Sequence, residues 1–350
     1  MPKPLTFTGS GSMSAETIRH PLLRDLAWLI ETPPLLQSRL PGAPDRTTLG
    51  LGDTSLYRYW LNTLAQEIAT LEQYVGTGQP IRLGTHVERL WQIILDRAPA
   101  THLLAHNLRV ICDQRTVGEF DLLYDDYEQA TPVHMEAAIK FYLGLPEGPG
   151  TSTAQSRWIG TSGPDSLALK HLHLLTHQTR LGQKAASREV LKEFGAPPLR
   201  CRMALKGVLF YPWRSGLDAV NGASHLPTLT GMPAPEGAHP DHPAGIWLHW
   251  RDWFHFIDTL QLTGAAQLQR PHWLALPPRE TLLFPESLLP ELRQRQQERG
   301  LPVQLVVCSD QLPQLRVMLV DDAWPLQIPL PPRRSPGPRR RRVQLSPWPR

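Results

Sequence analysis

Two neighbouring stretches decide the reading: Val117-Gly118-Glu119-Phe120-Asp121-Leu122-Leu123-Tyr124 and Val133-His134-Met135-Glu136-Ala137-Ala138-Ile139-Lys140-Phe141-Tyr142-Leu143. In each, side chains alternate with a period of two, the pattern of a strand with one packed face and one face carrying charge. The first sets Glu119, Asp121 and Leu123 against Phe120, Leu122 and Tyr124. The second sets His134, Glu136, Ala138, Lys140 and Tyr142 against Val133, Met135, Ala137, Ile139 and Phe141. The connector 125–132 is polar and ends in Pro132, as a hairpin loop does. Paired in one sheet, the two strands share a greasy face and gather Glu119, Asp121, Glu136 and Lys140 on the other.

Outward from this pair, His102 to Asp113 reads as a third strand and Met203 to Tyr211 as a fourth. Helices are expected at 85–96, on the stripe Val87, Leu90, Trp91 and Ile94, and at 165–179, with Asp165 as N-cap. Earlier helical patterns run from Arg19 to the stop at Pro33-Pro34 and from Leu56 to Tyr74. Later come an aromatic segment in which Trp247, Trp250 and Trp253 recur every third residue, the tripeptide His272-Trp273-Leu274, a short helix near 290–299, and strands at 303–308 and 316–320. The spacing of the tryptophans predicts one side of a helix, more in keeping with a core than with an exposed stacking platform. The chain thus divides into a disordered leader (1–18), an N-terminal helical segment (19–80), a core (81–214), an irregular connector (215–244), a C-terminal α+β subdomain (245–329) and a disordered Pro/Arg tail (330–350).

The chain has 350 residues, 41% apolar and 19% charged, which is globular composition, and its 36 prolines argue against a helical bundle. The formal charge of +4 is misleading as a nucleic-acid signal. Seven arginines and no acid lie in residues 331–350, which leaves −3 on the rest. Three cysteines, Cys112, Cys201 and Cys308, without a CxxC pair, exclude a disulfide framework and a cysteine-rich zinc site. Cys112 reads as a packed strand residue. No signal-like leader and no long apolar run is visible, so the expectation is a soluble cytoplasmic protein that does not enter a membrane. P-loop and dinucleotide fingerprints are absent from the sequence.

Same-face residues along a strand lie about 7 Å apart and neighbouring strands about 4.8 Å apart, so Asp121 and Glu136 can converge from adjacent strands. Two such carboxylates form a hard oxygen site suited to Mg²⁺ or Mn²⁺, and a lysine on the same face can offset charge on a phosphoryl group.

Gly118-Glu119-Phe120-Asp121 followed by a strand bearing Glu136 and Lys140, in the order helix, three strands, helix, strand, resembles the PD-(D/E)XK nuclease superfamily over about 83–212. Arg19-His20-Pro21, Arg24-Asp25-Leu26-Ala27-Trp28 and Ala138 to Leu143 resemble an uncharacterised bacterial family placed in that superfamily. The resemblance implies an α/β nuclease-like core and Mg²⁺-dependent hydrolysis of nucleic acid, with DNA as the expected partner. It makes Asp121, Glu136 and Lys140 catalytic and Asp121, Glu136, Glu119 and Glu88 the metal-binding acids. Lys170 and Gln178 would contact nucleic acid from the following helix, and Arg339, Arg340, Arg341 and Arg342 would add nonspecific affinity. One departure is plain: the superfamily places its lysine two residues after the glutamate, where this chain has Ala138. A bulge at Ala137-Ala138 would bring Lys140 forward.

Two other readings stand beside this one. Half-solvated strands carry charge on an outer face without any function, and the chain can be a noncatalytic nuclease-fold protein that binds nucleic acid or protein, its displaced lysine marking a lost site. Alternatively the tryptophan-rich C-terminal part acts as an interaction surface, which requires an exposed aromatic patch. His173 and His177 have metal-compatible spacing but no accompanying carboxylate.

Overall fold

The computed structural model describes residues 18–76, 78, 80–129, 131–148, 150–161, 163–178, 181–195, 198–213, 230–299, 302–325 and 344–345. Most of the leader and of the Pro/Arg tail lies outside these residues.

The chain begins with α1 (Pro21–Glu31), which starts on a proline whose missing N–H is no loss at a helix start. Next come α2 (Thr54–Gln66) and α3 (Ile68–Val75). The single helix expected at 56–74 is two, interrupted at Glu67, where φ −99° and ψ 14° leave the helical region. Asp53 caps α2, its carboxylate accepting from the Leu56 N–H at 2.8 Å. Helix α4 (Leu83–Arg97) is followed by β1 (Thr101–Cys112), β2 (Arg115–Asp126) and β3 (Val133–Gly144). Then β4 (Trp158–Gly160) precedes α5 (Leu167–His173), a π-helical turn at 174–178, α6 (Ala185–Leu191) and β5 (Arg200–Pro212). The remainder comprises β6 (Ala244–His249), α7 (Trp253–Leu260), β7 (Gly264–Gln267), α8 (Leu289–Arg299), β8 (Val303–Cys308), β9 (Leu315–Val320) and β10 (Gln344–Leu345). Within the expected tail, Gln344 and Leu345 therefore pair with β1, opposite His106 and Ala105.

All ten strands described belong to one mixed sheet, in the order β10-β1-β2-β3-β5-β6-β9-β8-β7, with β4 against the end of β3. β3 is the hinge of the topology: antiparallel to β2, parallel to β5. The sheet then continues through parallel β6 and β9 into antiparallel β8 and β7.

Helices cover both faces, as a layered α/β fold requires. On the first face Leu122, Tyr124, Met135, Ile139, Phe141, Val208 and Phe210 pack against Leu22, Leu26, Leu29, Val87, Leu90, Trp91 and Ile94 of α1 and α4. The segment carrying Leu268, Trp273 and Leu274 returns onto this face and joins the same core. On the second face Ala138, Tyr142, Leu205, Leu209 and Ile246 pack with Leu167 of α5, Trp253 and Phe256 of α7 and Leu292 of α8. A smaller cluster of Ala105, Leu108, Phe120 and Leu123 is covered by Leu181 and Leu191. Among the described residues no helix is long and apolar enough to cross a membrane.

Three local expectations are corrected. Trp247 sits in β6, Trp250 in a short turn and Trp253 at the start of α7, so the period of three spans a strand-to-helix junction. Trp247 and Trp253 are buried on opposite faces and form no exposed patch. Phe120, expected with Leu122 on the first face, instead packs with Leu123 and sets its ring edge-on to His134, 4.7 Å between centroids. Cys112 is exposed, because it lies at the open end of β1 beside the turn at Asp113.

Gly207 on β5 is opposite Lys140 on β3, with φ +147°. A Cβ there would overlap the Lys140 carbonyl and stand 2.7 Å from its carbon, so this approach of the two central strands requires glycine.

Candidate functional site

β2 and β3 pair over only three positions, Tyr124 with Val133, Leu123 with His134 and Leu122 with Met135. Asp121 and Glu136 are the next residues along, at the point where the ladder stops. In place of a further strand bond, the Asp121 side chain turns inward and its Oδ2 accepts the Ala137 N–H at 3.2 Å. Both acids are buried, 3% and 0% exposed. Burial of a carboxylate is costly unless its oxygens are engaged. For Glu136, His134 Nε2 donates to Oε1 at 2.8 Å. An ionised carboxylate only accepts, and with Glu136 ionised the His134 proton lies on Nε2.

Lys140 lies on the same face of β3. Its amine donates to Asp165 Oδ2 at 2.6 Å, and the Tyr142 hydroxyl reaches that oxygen at 3.4 Å. Burial, with the neighbouring Asp165 charge, raises the Tyr142 hydroxyl well above the ordinary tyrosine range, so it stays a donor. Asp165 is not the cap of α5. Ser166 takes that role, its hydroxyl accepting from the Leu169 N–H, and Asp165 is left to hold Lys140.

Helix α5 supplies a second amine. Lys170 is half-buried; burial and then the Lys140 ammonium lower its amine below the ordinary lysine range, while Asp121, Glu136 and Asp165 pull in the opposite direction. Asp121, Glu136, Lys140, Asp165 and Lys170 thus form one group of interacting charges on the second face of the sheet. A group that places two buried acids beside two amines can accept a phosphate and a divalent cation together.

The remaining sequence-derived candidates fall elsewhere. Glu119 turns toward β1, where Arg109 Nε and Asn107 Nδ2 donate to its two oxygens at 3.3 and 3.1 Å. Glu88 is half-buried on α4, the helix that covers the first face. Among the described residues, no three of Glu88, Glu119, Asp121 and Glu136 bring donor oxygens within 4.8 Å of one another. The β3–β5 ladder runs without a register shift from Val133 opposite Arg200 to Leu143 opposite Phe210, so β3 carries no bulge at Ala137-Ala138. The side chains of Gln178 and His177, and residues 339–342, lie outside the described residues.

Sequence reasoning missed Asp165, taken for a cap, and His134, whose place on the polar face of β3 was visible but whose role was not. It also missed a second cluster. Asp25 of α1, His86 of α4 and His272 bring their donor atoms within 4.8 Å of one another.

Comparison with curated proteins gives no match, and neither does comparison with solved structures. A family model, a domain of unknown function designated DUF1853, matches residues 24–320, from the first turn of α1 to the end of β9. The chain belongs to the DUF1853 family.

Proposed function

We propose that the protein is a metal-dependent nuclease of the PD-(D/E)XK kind, acting on nucleic-acid phosphodiesters, with Asp121 and Glu136 as its acids. The observation that carries this reading is the placement of two buried acids, Asp121 and Glu136, side by side where the β2–β3 ladder stops. The position two after Glu136 is Ala138, and the lysine that would serve the acids instead is Lys170 of α5. The donor set suits a hard divalent ion: two buried carboxylates from neighbouring strands of one sheet.

Asp121 and Glu136 would hold Mg²⁺, or Mn²⁺ in its place. A bound ion would polarise the phosphoryl oxygen and lower the pKa of its water. Lys170 and Lys140 would offset charge developing on the phosphoryl oxygens. His134 orients the Glu136 carboxylate through its 2.8 Å hydrogen bond, and Asp165 positions the Lys140 amine. The arginine run at 339–342 would add nonspecific, salt-sensitive affinity for the phosphate backbone.

The test is incubation of the purified chain with plasmid, linear and single-stranded DNA and with RNA, in Mg²⁺, Mn²⁺ or chelator. Cleavage with Mg²⁺ that is lost in Asp121→Asn and reduced at least about 100-fold in Lys170→Met is expected, on the scale of removing one charge-stabilising donor. Equal activity in wild type and Asp121→Asn refutes the assignment. A second reading, a noncatalytic binding module of the same fold, is favoured by one observation, the occupation of Lys140 by Asp165 at 2.6 Å. It predicts binding of nucleic acid without cleavage under every metal condition.

A further inference from the structure

Asp25, His86 and His272 come from three distant parts of the chain. His86 Nε2 stands 3.2 Å and His272 Nδ1 2.7 Å from the same oxygen, Asp25 Oδ2. The other carboxylate oxygen, Oδ1, accepts the Ala275 N–H at 3.2 Å, which fixes the plane of the carboxylate and aims Oδ2 at the two rings. The rings are perpendicular, 5.4 Å between centroids, so their nitrogens approach the oxygen from different directions. Asp25 is 1% and His86 0% exposed, whereas His272 is 25% exposed and leaves one side of the cluster open to solvent.

We propose that these three residues bind a single borderline divalent transition ion, with Zn²⁺ as the type. Two imidazoles and one carboxylate are the donor set that selects such ions over Mg²⁺ or Ca²⁺, which want oxygen alone. An ion about 2.0–2.2 Å from each donor in tetrahedral geometry needs donors about 3.3–3.6 Å apart. Donors that include pairs at 2.7 and 3.2 Å and all lie within 4.8 Å reach that by small side-chain movements. The fourth position falls on the open side by His272, available to water. The Ala275 N–H that holds Asp25 is the kind of outer contact that orients a ligand. Bound there, the ion clips the His272 segment to α1 and α4.

The site is independent of the nuclease reading. Asp25 and His86 lie on helices of the first face, and Asp121 and Glu136 belong to the second.

The test uses tag-free full-length protein carrying Asp121→Asn, stripped with chelator and titrated with Co²⁺ and then Zn²⁺. The expected result is one equivalent of Co²⁺ with visible ligand-field absorption, displaced stoichiometrically by Zn²⁺, and a Zn²⁺-dependent rise in Tm. His272→Ala, the partly exposed position, should lose at least tenfold in affinity and most of the Tm rise while keeping the far-UV circular dichroism of the parent. Absence of saturable binding by the folded parent overturns the proposal without reference to any variant. Binding that persists unchanged in a folded His272→Ala protein overturns it as well.

Discussion

Lys206 offers a quantitative test of how the sheet is buried. It lies on β5, 5% exposed, among the residues packed under α1, and its amine donates to the Thr32 carbonyl at the end of that helix. Burial lowers its pKa from 10.5 to about 8, with the Asp45 charge opposing only in part. The folded pKa is below the unfolded one, so between pH 8 and 10.5 the unfolded chain holds a proton that the folded chain has lost. Stability therefore rises with pH across that window, and below it the penalty for burying the ammonium is constant. A fall from 10.5 to about 8 corresponds to about 3 kcal/mol. Lys206→Met keeps the stem and removes the amine. At pH 7 it should stabilise the protein by about 2 kcal/mol, that penalty less about 1 kcal/mol for the bond to Thr32. Near pH 10.5 the penalty has vanished and only the lost bond remains, so the variant should be less stable by about 1 kcal/mol. Urea unfolding of both proteins at pH 7, 8, 9, 10 and 10.5 reads this difference, in which other alkaline titrations cancel. A difference that stays constant over the series would refute the burial argument.

Two further perturbations probe the frame of the site. Gly207→Ala should cost at least about 3 kcal/mol in the same unfolding assay, from a strained φ and from backbone bonds lost as β3 and β5 part. A loss below about 1 kcal/mol would show that the strands give way freely there. Asp53→Ala removes the cap of α2 and should cost about 1 kcal/mol, with Asp53→Asn retaining most of that stability; equal losses in the two would place the effect in the charge and not in the hydrogen bond.

How much of this was legible in the sequence depended on the range of the interaction involved. β2, β3 and β5 were readable because each buries one or both faces and so prints its period on the chain. Helix α4 was readable from Val87, Leu90, Trp91 and Ile94 for the same reason. β4 and β7 are three and four residues long, too short to show a period, and β6 was hidden by tryptophans that happened to fall three apart. The break at Glu67 follows no proline or glycine and leaves no local mark in the sequence. Asp165 and Ser166 are both good caps, and the choice between them is made by Lys140, a residue 25 positions away. The His272 contact with Asp25 spans 247 positions, and no local pattern encodes it.

The two clusters have a common origin in the topology. β3 keeps β2 for three register pairs and β5 for eleven, so the sheet must fork on the β2 side while it stays closed on the other. At a fork the strand N–H groups lose their partners, and a side chain has to accept them or the burial is costly. Asp121 does so at Ala137, which draws a carboxylate into the interior beside Glu136, within the electrostatic reach of Lys170, while Lys140 on the same face is held by Asp165. On the first face the chain beyond β7 crosses back to cover α1 and α4, and the contact is pinned through Asp25. The acids therefore sit at a fork in the sheet, the Asp25 cluster sits where the segment after β7 meets α1 and α4, and the sheet separates them. If that separation is physical, Asp121→Asn should leave Zn²⁺ uptake intact and His272→Ala should leave Mg²⁺-dependent cleavage intact. Loss of both properties in either single variant would mean that the two faces communicate through β3.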